Sequence, residues 1–327
     1  MQKTYKALES SKTDTGNSLR IVEKNTSDLP EGDLLIKVQY SSLNYKDAMS
    51  ARGFPGVTRN YPHTPGVDAV GTVVESKETI FPEGEEVIVT GFDLGVNTAG
   101  GFGEYIRVPA AWAIKLPSGL SAKDSMILGT AGLTAGLSIK ALDSFRGVTN
   151  TKSIVSGSTG GVGSVAVKLL AHLGSSVTAI SGKDSQHEFL KSLGAKEILS
   201  RENFQKNVRK PLGKGTWDIG VDMVGGEILP TMLAAINPTG AVACSGLVGG
   251  AQFESSVFPF ILRGIALLGI ESVTIPVEQR EDIWKHFASD WSLSLNDLVK
   301  EVGLENLEDE IDLIITGRQV GRVLVKI

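Results

Sequence analysis

Between Ser153 and Gly174 the chain reads Ser-Ile-Val-Ser-Gly-Ser-Thr-Gly-Gly-Val-Gly-Ser-Val-Ala-Val-Lys-Leu-Leu-Ala-His-Leu-Gly. This is a short apolar strand entering a glycine-rich turn that opens directly into an amphipathic helix. Gly160, Gly161 and Gly163 carry no Cβ, so the turn is free to take positive φ and a ligand can come close to the backbone. Amides without partners at the helix start, together with the positive end of the helix dipole, favour a phosphate there. The spacing departs from the dinucleotide fingerprint G-x-G-x-x-G in one place, because Ser158 occupies the first glycine position before Gly160 and Gly163. The turn also admits a second reading, in which its glycines serve only tight packing of helix on strand.

The chain has 327 residues, too many for one ordinary core, and two domains are expected. The formal charge of −5, without a clustered Lys/Arg run, leaves no basic footprint, so a nucleic-acid partner is not expected. The stretch Met1–Ser11 lacks the apolar run of a secretory signal. The best candidate for a membrane span, Val257–Ile270, is short and contains Arg263. A soluble, cytoplasmic protein is the expectation. The single cysteine, Cys244, forms no intramolecular disulfide and supplies no multi-thiolate zinc site. It falls in an apolar run, Gly240–Gly246, and reads as a small core residue rather than a nucleophile.

From Ile154 onward short apolar strands alternate with helical stretches, the pattern of right-handed βαβ units on a parallel sheet. Strands are expected at Ser153–Ser156, Ser176–Ser181, Glu197–Leu199, Trp217–Met223, Gly240–Gly246 and Ile265–Gly269. Helices are expected at Val162–Leu173, Ser185–Leu193 and Glu227–Ile236. Such an α/β, doubly wound parallel sheet binds its ligand at the carboxyl ends of its strands. The first ~120 residues instead carry extended apolar runs at Leu34–Tyr40, Val67–Val74, Glu86–Thr90 and Tyr105–Val108, punctuated by Pro and Gly, which predicts an antiparallel β domain with a loop over Gly91–Gly103. Helical patterning returns at Val277–Ala288 and Leu304–Ile315, and the apolar run Arg322–Ile327 is expected to fold back onto the N-terminal domain.

In the NAD fingerprint an acidic residue about 20 positions past the glycines accepts hydrogen bonds from the adenosine ribose. Here Ser181 stands in that place and Lys183 follows. Nothing at this strand tip repels a 2′-phosphate, and Lys183 can pair with one, which favours NADPH. Arg201 is a second cation, Asp184 partly offsets the argument, and the same residues also fit a simple solvated turn. Several other chemistries lack their residues. No tyrosine has a lysine four positions later, as a short-chain dehydrogenase needs. His187-Glu188 lacks the second histidine of a helical zinc protease. There is no Gly-x-Ser-x-Gly elbow and no Walker loop. None of the four histidines has ligand spacing with another or with Cys244.

The order of parts, a β-rich first domain, a nucleotide domain with Gly-Gly-Val-Gly and a returning C-terminal strand, resembles the medium-chain dehydrogenase/reductase superfamily. Within it the chain is similar to the zinc-independent quinone oxidoreductase branch and its acryloyl-CoA reductase-like subfamily. The stretches that carry this are Ser41-Ser42-Leu43-Asn44-Tyr45-Lys46-Asp47-Ala48, Pro65-Gly66-Val67-Asp68 with Gly71-Thr72-Val73, and Gly129-Thr130-Ala131-Gly132-Leu133-Thr134-Ala135. Ser181-Gly182-Lys183, Pro259-Phe260-Ile261-Leu262-Arg263 and Gly321-Arg322-Val323-Leu324-Val325-Lys326 complete the set. The resemblance implies a GroES-like substrate domain over residues 1–122, a Rossmann domain over 123–272, and a segment 273–327 returning to the first domain. Zinc-dependent members place Cys where Asn44 stands and a Gly-His-Glu where Pro65–Asp68 begins; this chain has neither, so no metal is expected.

Carried over residue by residue, the resemblance implies that Tyr45 lies against the nicotinamide and that Thr159, Gly160, Gly161, Val162 and Gly163 cradle the pyrophosphate. It puts Ser181, Gly182, Lys183 and Arg201 at the 2′-phosphate, and Leu247, Ile261, Ser272 and Arg322 at the nicotinamide end. For the chemistry it points to Asn44, Tyr45 and Asp47, with Tyr45 as hydrogen-bond or proton donor and its two neighbours positioning it. Asn44–Asp47 also reads as a helix cap, and both can hold. The activity implied is NADPH-dependent reduction of an activated alkene, an α,β-unsaturated carbonyl such as an acryloyl-CoA-type thioester. A quinone reductase and a non-catalytic NADP(H)-binding sensor or structural protein are the alternatives, and a homodimer is implied by analogy.

Overall fold

The structure is a computed structural model that describes residues 3–14, 16–206 and 211–327. In chain order the elements are β1 (Thr4–Thr13), β2 (Gly16–Asn25), β3 (Leu34–Leu43), α1 (Tyr45–Ala51), β4 (Asp68–Ser76), β5 (Glu86–Thr90), β6 (Tyr105–Val108), β7 (Ala113–Lys115) and α2 (Ala122–Arg146). There follow β8 (Lys152–Val155), α3 (Gly161–His172), β9 (Ser176–Ser181), α4 (His187–Ser192), β10 (Glu197–Ser200), α5 (Arg201–Lys206), β11 (Trp217–Asp222), α6 (Ile228–Ala235), β12 (Ile236–Cys244), α7 (Phe258–Arg263) and β13 (Ala266–Gly269). The tail holds α8 (Val277–Phe287), β14 (Val299–Gly303), α9 (Leu307–Ile315) and β15 (Arg322–Lys326).

Two compact units emerge. Unit 1 comprises Met1–Thr130, Val273–Asp290 and Leu298–Ile327; unit 2 comprises Ala131–Ser272 and Trp291–Asp297. The passage between them thus falls inside α2, eight residues after the break expected at 122, and Trp291–Asp297 of the tail groups with unit 2.

Unit 2 is a six-stranded sheet in the order β10-β9-β8-β11-β12-β13 with every neighbouring pair parallel. Its apolar strands run buried on both faces, as helices on either side require. Helix α3 buries Val165, Ala166, Val167, Leu169 and Leu170, and each of its valine and leucine side chains is worth about 1.5–3 kcal/mol on leaving water. A cluster of Ile154, Ile180, Trp217, Ile228, Met232, Leu233 and Val242 fills the space around the sheet.

Unit 1 is built on a seven-stranded sheet in the order β14-β15-β3-β4-β5-β7, with β6 also on β3. Its pairings are antiparallel except at one edge, where β14 and β15 run parallel, so the sheet is mixed rather than purely antiparallel. The returning strand β15 pairs with β3. A separate hairpin, β1 with β2, occupies the N-terminal stretch that composition alone left as polar chain. Among the described residues α2 is the one helix long and apolar enough to cross a membrane, and 78% of that window lies buried inside the fold. It breaks at Gly129, whose φ of 52° and ψ of −154° are not helical. The longest apolar candidate among the described residues is thus α2 and not Val257–Ile270.

Candidate active site and dinucleotide site

In unit 2 the strand β8 runs into Gly157, which takes φ of 57°, and α3 opens at Gly161. The left-handed position is therefore Gly157, not Gly160, Gly161 or Gly163. Gly163 is needed for another reason: a Cβ there would lie 2.3 Å from the Gly157 carbonyl oxygen. The first intrahelical bond of this turn is Ser164 N–H to the Gly160 carbonyl at 2.9 Å, so the amides of Gly161, Val162 and Gly163 precede it at the helix start. This is a cradle that fits a pyrophosphate. Thr159 is 6% exposed. Ser158, the departure from the glycine fingerprint, turns inward: its hydroxyl donates to the Val155 carbonyl at 2.7 Å and to the Ile180 carbonyl at 3.1 Å. The serine ties the ends of β8 and β9 together and leaves the outer face of the turn open.

At the tip of β9 the Ser181 hydroxyl accepts the Lys183 N–H at 2.9 Å, closing a tight polar turn. The Arg201 guanidinium, at the first residue of α5, lies directly against Gly182, where a Cβ would meet its Cζ at 2.8 Å. Burial, and then the charge of Arg201, hold the Lys183 ammonium below its ordinary range. Two like charges are thus held together at the place where a 2′-phosphate would sit. Asp184 instead approaches His187, at 3.8 Å. The residues present fit an NADP-type dinucleotide.

The other residues assigned to the cofactor are spread more widely. The Ser272 hydroxyl accepts from Thr134 Oγ1 at 2.8 Å. Leu247 is 66% exposed, in the loop after β12. Ile261 is 69% exposed on α7, and Arg263 of that helix is anchored to the Ala234 and Ile236 carbonyls at the amino start of β12, the end of the strand away from the turns. Cys244 ends β12 half-buried, with Sγ 3.8 Å from Asp222 Oδ2; burial and then this carboxylate push its thiol up, which disfavours a nucleophilic thiolate.

In unit 1 Asn44 is the N-cap of α1, and Tyr45 begins the helix with 40% of its surface exposed. The Asn44 N–H donates to Asp47 Oδ2 at 2.8 Å, and the Val67 N–H donates to Asp47 Oδ1 at 2.7 Å. Asp47 is fully buried, and burial followed by the Asp68 charge pushes its carboxyl up to about 7. These two amides hold it beneath the first turn of α1. Arg322 is buried as well. It is 2% exposed, donating from Nε to the Ile127 carbonyl at 2.8 Å and from Nη1 to the Leu43 carbonyl at 3.2 Å and Asn44 Oδ1 at 3.3 Å. It belongs to the same cluster as Asn44.

The cluster has three members that sequence reasoning left out. The buried Asp68 carboxylate accepts from Ser42 Oγ at 2.5 Å, Asn44 Nδ2 at 2.7 Å, and Thr130 N–H and Oγ1 at 2.8 and 2.6 Å. The available signal was an aspartate heading the apolar run Val67–Val74, a place where a carboxylate must be paired.

Comparison with known proteins agrees with this geometry. Residues 30–118 match the family described as alcohol dehydrogenase GroES-like domain, and residues 161–289 match zinc-binding dehydrogenase. The acrylyl-CoA reductase AcuI of Ruegeria pomeroyi is 38% identical over 94% of each chain. The chain belongs to the medium-chain dehydrogenase/reductase superfamily, in its acryloyl-CoA reductase-like group. The YhdH oxidoreductase of Salmonella enterica, solved in complex with NADP, is 41% identical, with TM-score 0.95 over all of both chains. YhfP of Bacillus subtilis, classed by name with the quinone oxidoreductases and solved with NAD bound, is 41% identical, with TM-score 0.96 over 99% of this chain and 100% of the other. The expected architecture, a GroES-like β domain and a Rossmann domain, is therefore met.

The zinc in one family description does not fit the residues present. Asn44 and Val67 replace the thiolate and imidazole of a zinc site. Both oxygens of Asp68 already accept hydrogen bonds, and the guanidinium of Arg322 supplies positive charge to the same cluster. Among the described residues no group of three or more His, Cys, Asp or Glu could hold a metal ion.

Proposed function

We propose that this protein is an NADPH-dependent reductase of activated alkenes, with an α,β-unsaturated thioester of the acryloyl-CoA type as substrate class. The observation that carries the cofactor choice is the gathering of two cations, Lys183 and Arg201, around Gly182 at the tip of β9. When bound, NADPH supplies a hydride to the carbon β to the carbonyl, and the acceptor takes a proton at the α carbon. The protein orients the dinucleotide with the α3 amides and stabilises charge on the carbonyl oxygen with hydrogen-bond donors. Tyr45, exposed on the first turn of α1, is the donor in this reading, and Asn44 and Asp47 hold that turn in place. Leu247, Ile261 and Ser272 are assigned to the nicotinamide end by family resemblance.

Quinone reduction by the same site is the second reading, favoured by the name and 41% identity of YhfP. We further propose a cytoplasmic homodimer without nucleic-acid or membrane partners. The exposed apolar side chains Val257, Phe258, Ile261 and Leu262, beside the edge strand β13, support pairing of two copies there. The test is steady-state oxidation of NADPH and of NADH with acryloyl-CoA, simple enones and quinones. Higher kcat/KM with a quinone than with acryloyl-CoA overturns the thioester reading, and NADH preference overturns the cofactor assignment. Tight NADPH binding without turnover leaves only the non-catalytic alternative.

A further inference from the structure

Four hydrogen-bond donors from three separate segments converge on one carboxylate in unit 1, that of Asp68 at the head of β4. Ser42 comes from the end of β3, Asn44 from the cap of α1 and Thr130 from the break in α2. We propose that Asp68 is a positioning residue of the reductase site, fixing the first turn of α1, and with it Tyr45, through Asn44. This rests on the role given to Tyr45 above.

The geometry makes the link short. Asn44 Nδ2 sits 2.7 Å from Asp68 Oδ2, and its Oδ1 accepts from Arg322 Nη1 at 3.3 Å, so the cap residue is held from both ends of its amide. The Asn44 N–H is at the same time tied to Asp47, three residues into the helix. With the amide pinned, the backbone leading into Tyr45 is fixed. There is no slack on the opposite side of the carboxylate. Gly129 takes φ of 52°, and a Cβ there would lie 2.3 Å from Ser42 Oγ and 2.5 Å from Asp68 Oδ2, so α2 presses its broken turn onto the cluster. An aspartate fits this space, whereas the extra methylene of a glutamate has nowhere to go. The Arg322 guanidinium is the compensating charge: Asp68 and then Asp47 favour its protonated form against the burial that disfavours it.

The cluster is also electrically coupled. The charged and titratable groups facing the Asp47 carboxyl are Asp68 from β4 and Arg322 from β15. Removing the Asp68 charge while preserving its shape must change how readily Asp47 takes up a proton, an effect that loss of packing alone does not produce.

Asp68→Asn provides such a change. Its amide oxygen can serve Ser42, Asn44 and the Thr130 N–H, while its NH2 faces Thr130 Oγ1, a hydroxyl able to accept. Asp68→Ala removes all four acceptor contacts. For Asp68→Ala we expect kcat to fall about 100-fold, as for a reacting group misplaced by about an ångström, with KM for NADPH unchanged within about twofold. Hydrogen exchange of the amides of residues 45–51 is expected to quicken in the same variant. For Asp68→Asn, recovery of most of kcat is expected, together with a shift to lower pH of the Asp47 titration, followed by carboxyl-carbon NMR, and of the acid limb of kcat. Unchanged kcat in folded Asp68→Ala overturns the proposal, as does an Asp47 titration that does not move in Asp68→Asn. If the wild-type protein oxidises NADPH with none of the acceptors, the functional reading fails, while unaltered exchange over residues 45–51 in Asp68→Ala refutes the positioning role separately.

Discussion

Replacing Lys183 and Arg201 by alanine, singly and together, probes the cofactor assignment where the structure is most specific. Each cation would make a charge-assisted hydrogen bond to a 2′-phosphate, and such bonds contribute about 1.5–3 kcal/mol when well formed. Arg201 is exposed and Lys183 half-buried, so solvent screening puts each nearer the low end, about 1.4 kcal/mol, or roughly tenfold in kcat/KM for NADPH. The two cations also repel: Arg201 helps hold the Lys183 ammonium below its ordinary range. Removing either relieves the other, so each single loss understates its cation's share and the double variant should lose somewhat more than the product, upward of about 100-fold. NADH carries no 2′-phosphate, and its kcat/KM should stay within about twofold or rise. The assay is initial-rate oxidation of both cofactors with one acceptor at fixed ionic strength, since the NADPH advantage should also shrink as salt rises. A parallel loss with both cofactors would mean that Arg201 supports the fold of this edge and not the phosphate. No loss with NADPH would refute the assignment outright.

Other outcomes follow from the same geometry. Gly163→Ala places a methyl 2.3 Å from the Gly157 carbonyl oxygen, and dinucleotide binding measured by fluorescence should fall at least about tenfold as the turn is pushed open. Tyr45→Phe should lower kcat while leaving NADPH affinity unchanged; unchanged turnover and substrate affinity would remove Tyr45 from the reaction. The Asp47 carboxyl, near 7 in the fold against about 3.8 when unfolded, binds its proton more tightly in the native state. Its contribution to stability is therefore complete below about pH 4 and is lost as pH rises through about 7. The advantage of the wild type over Asp47→Asn, read from urea midpoints, should shrink between about pH 5.5 and pH 8.5, and a difference that stays flat would contradict the buried, Asp68-coupled setting.

The parallel sheet was legible because strands buried on both faces must be written as unbroken apolar runs: Ser176–Ser181 lies where the residues place it, as do the antiparallel strands Glu86–Thr90 and Tyr105–Val108. The hairpin β1–β2 was not legible, since β1 buries residues on both faces, Tyr5 and Ala7 on one and Leu8 with Ser10 on the other, and Ser10, fully buried through bonds to the Ala51 carbonyl and Asn17, puts a polar residue where a hydrophobic one would mark the face. Strand β14 has only two valines in five residues and forms by adding to β15. The site was half legible. Cofactor residues cluster in sequence because a strand, turn and helix make the cradle, whereas the cluster under α1 joins positions 42, 44, 68, 130 and 322, and only the fold brings these together. Asp47 and Arg322 were named only through the family resemblance, and nothing in a linear sequence says that a charged side chain points inward.

The place of β15 between β14 and β3 has a consequence for synthesis. As the chain leaves the ribosome, the continuous segment Ala131–Ser272 can assemble its parallel sheet while the first unit still lacks an interior strand. Until β15 emerges, β3 carries an open hydrogen-bonding edge on that side, and Arg322 has not arrived to balance two buried carboxylates. The sheet of unit 1 thus closes only after the continuous segment of unit 2 has been made, and the cluster beneath α1 waits for a strand that follows that segment in the chain.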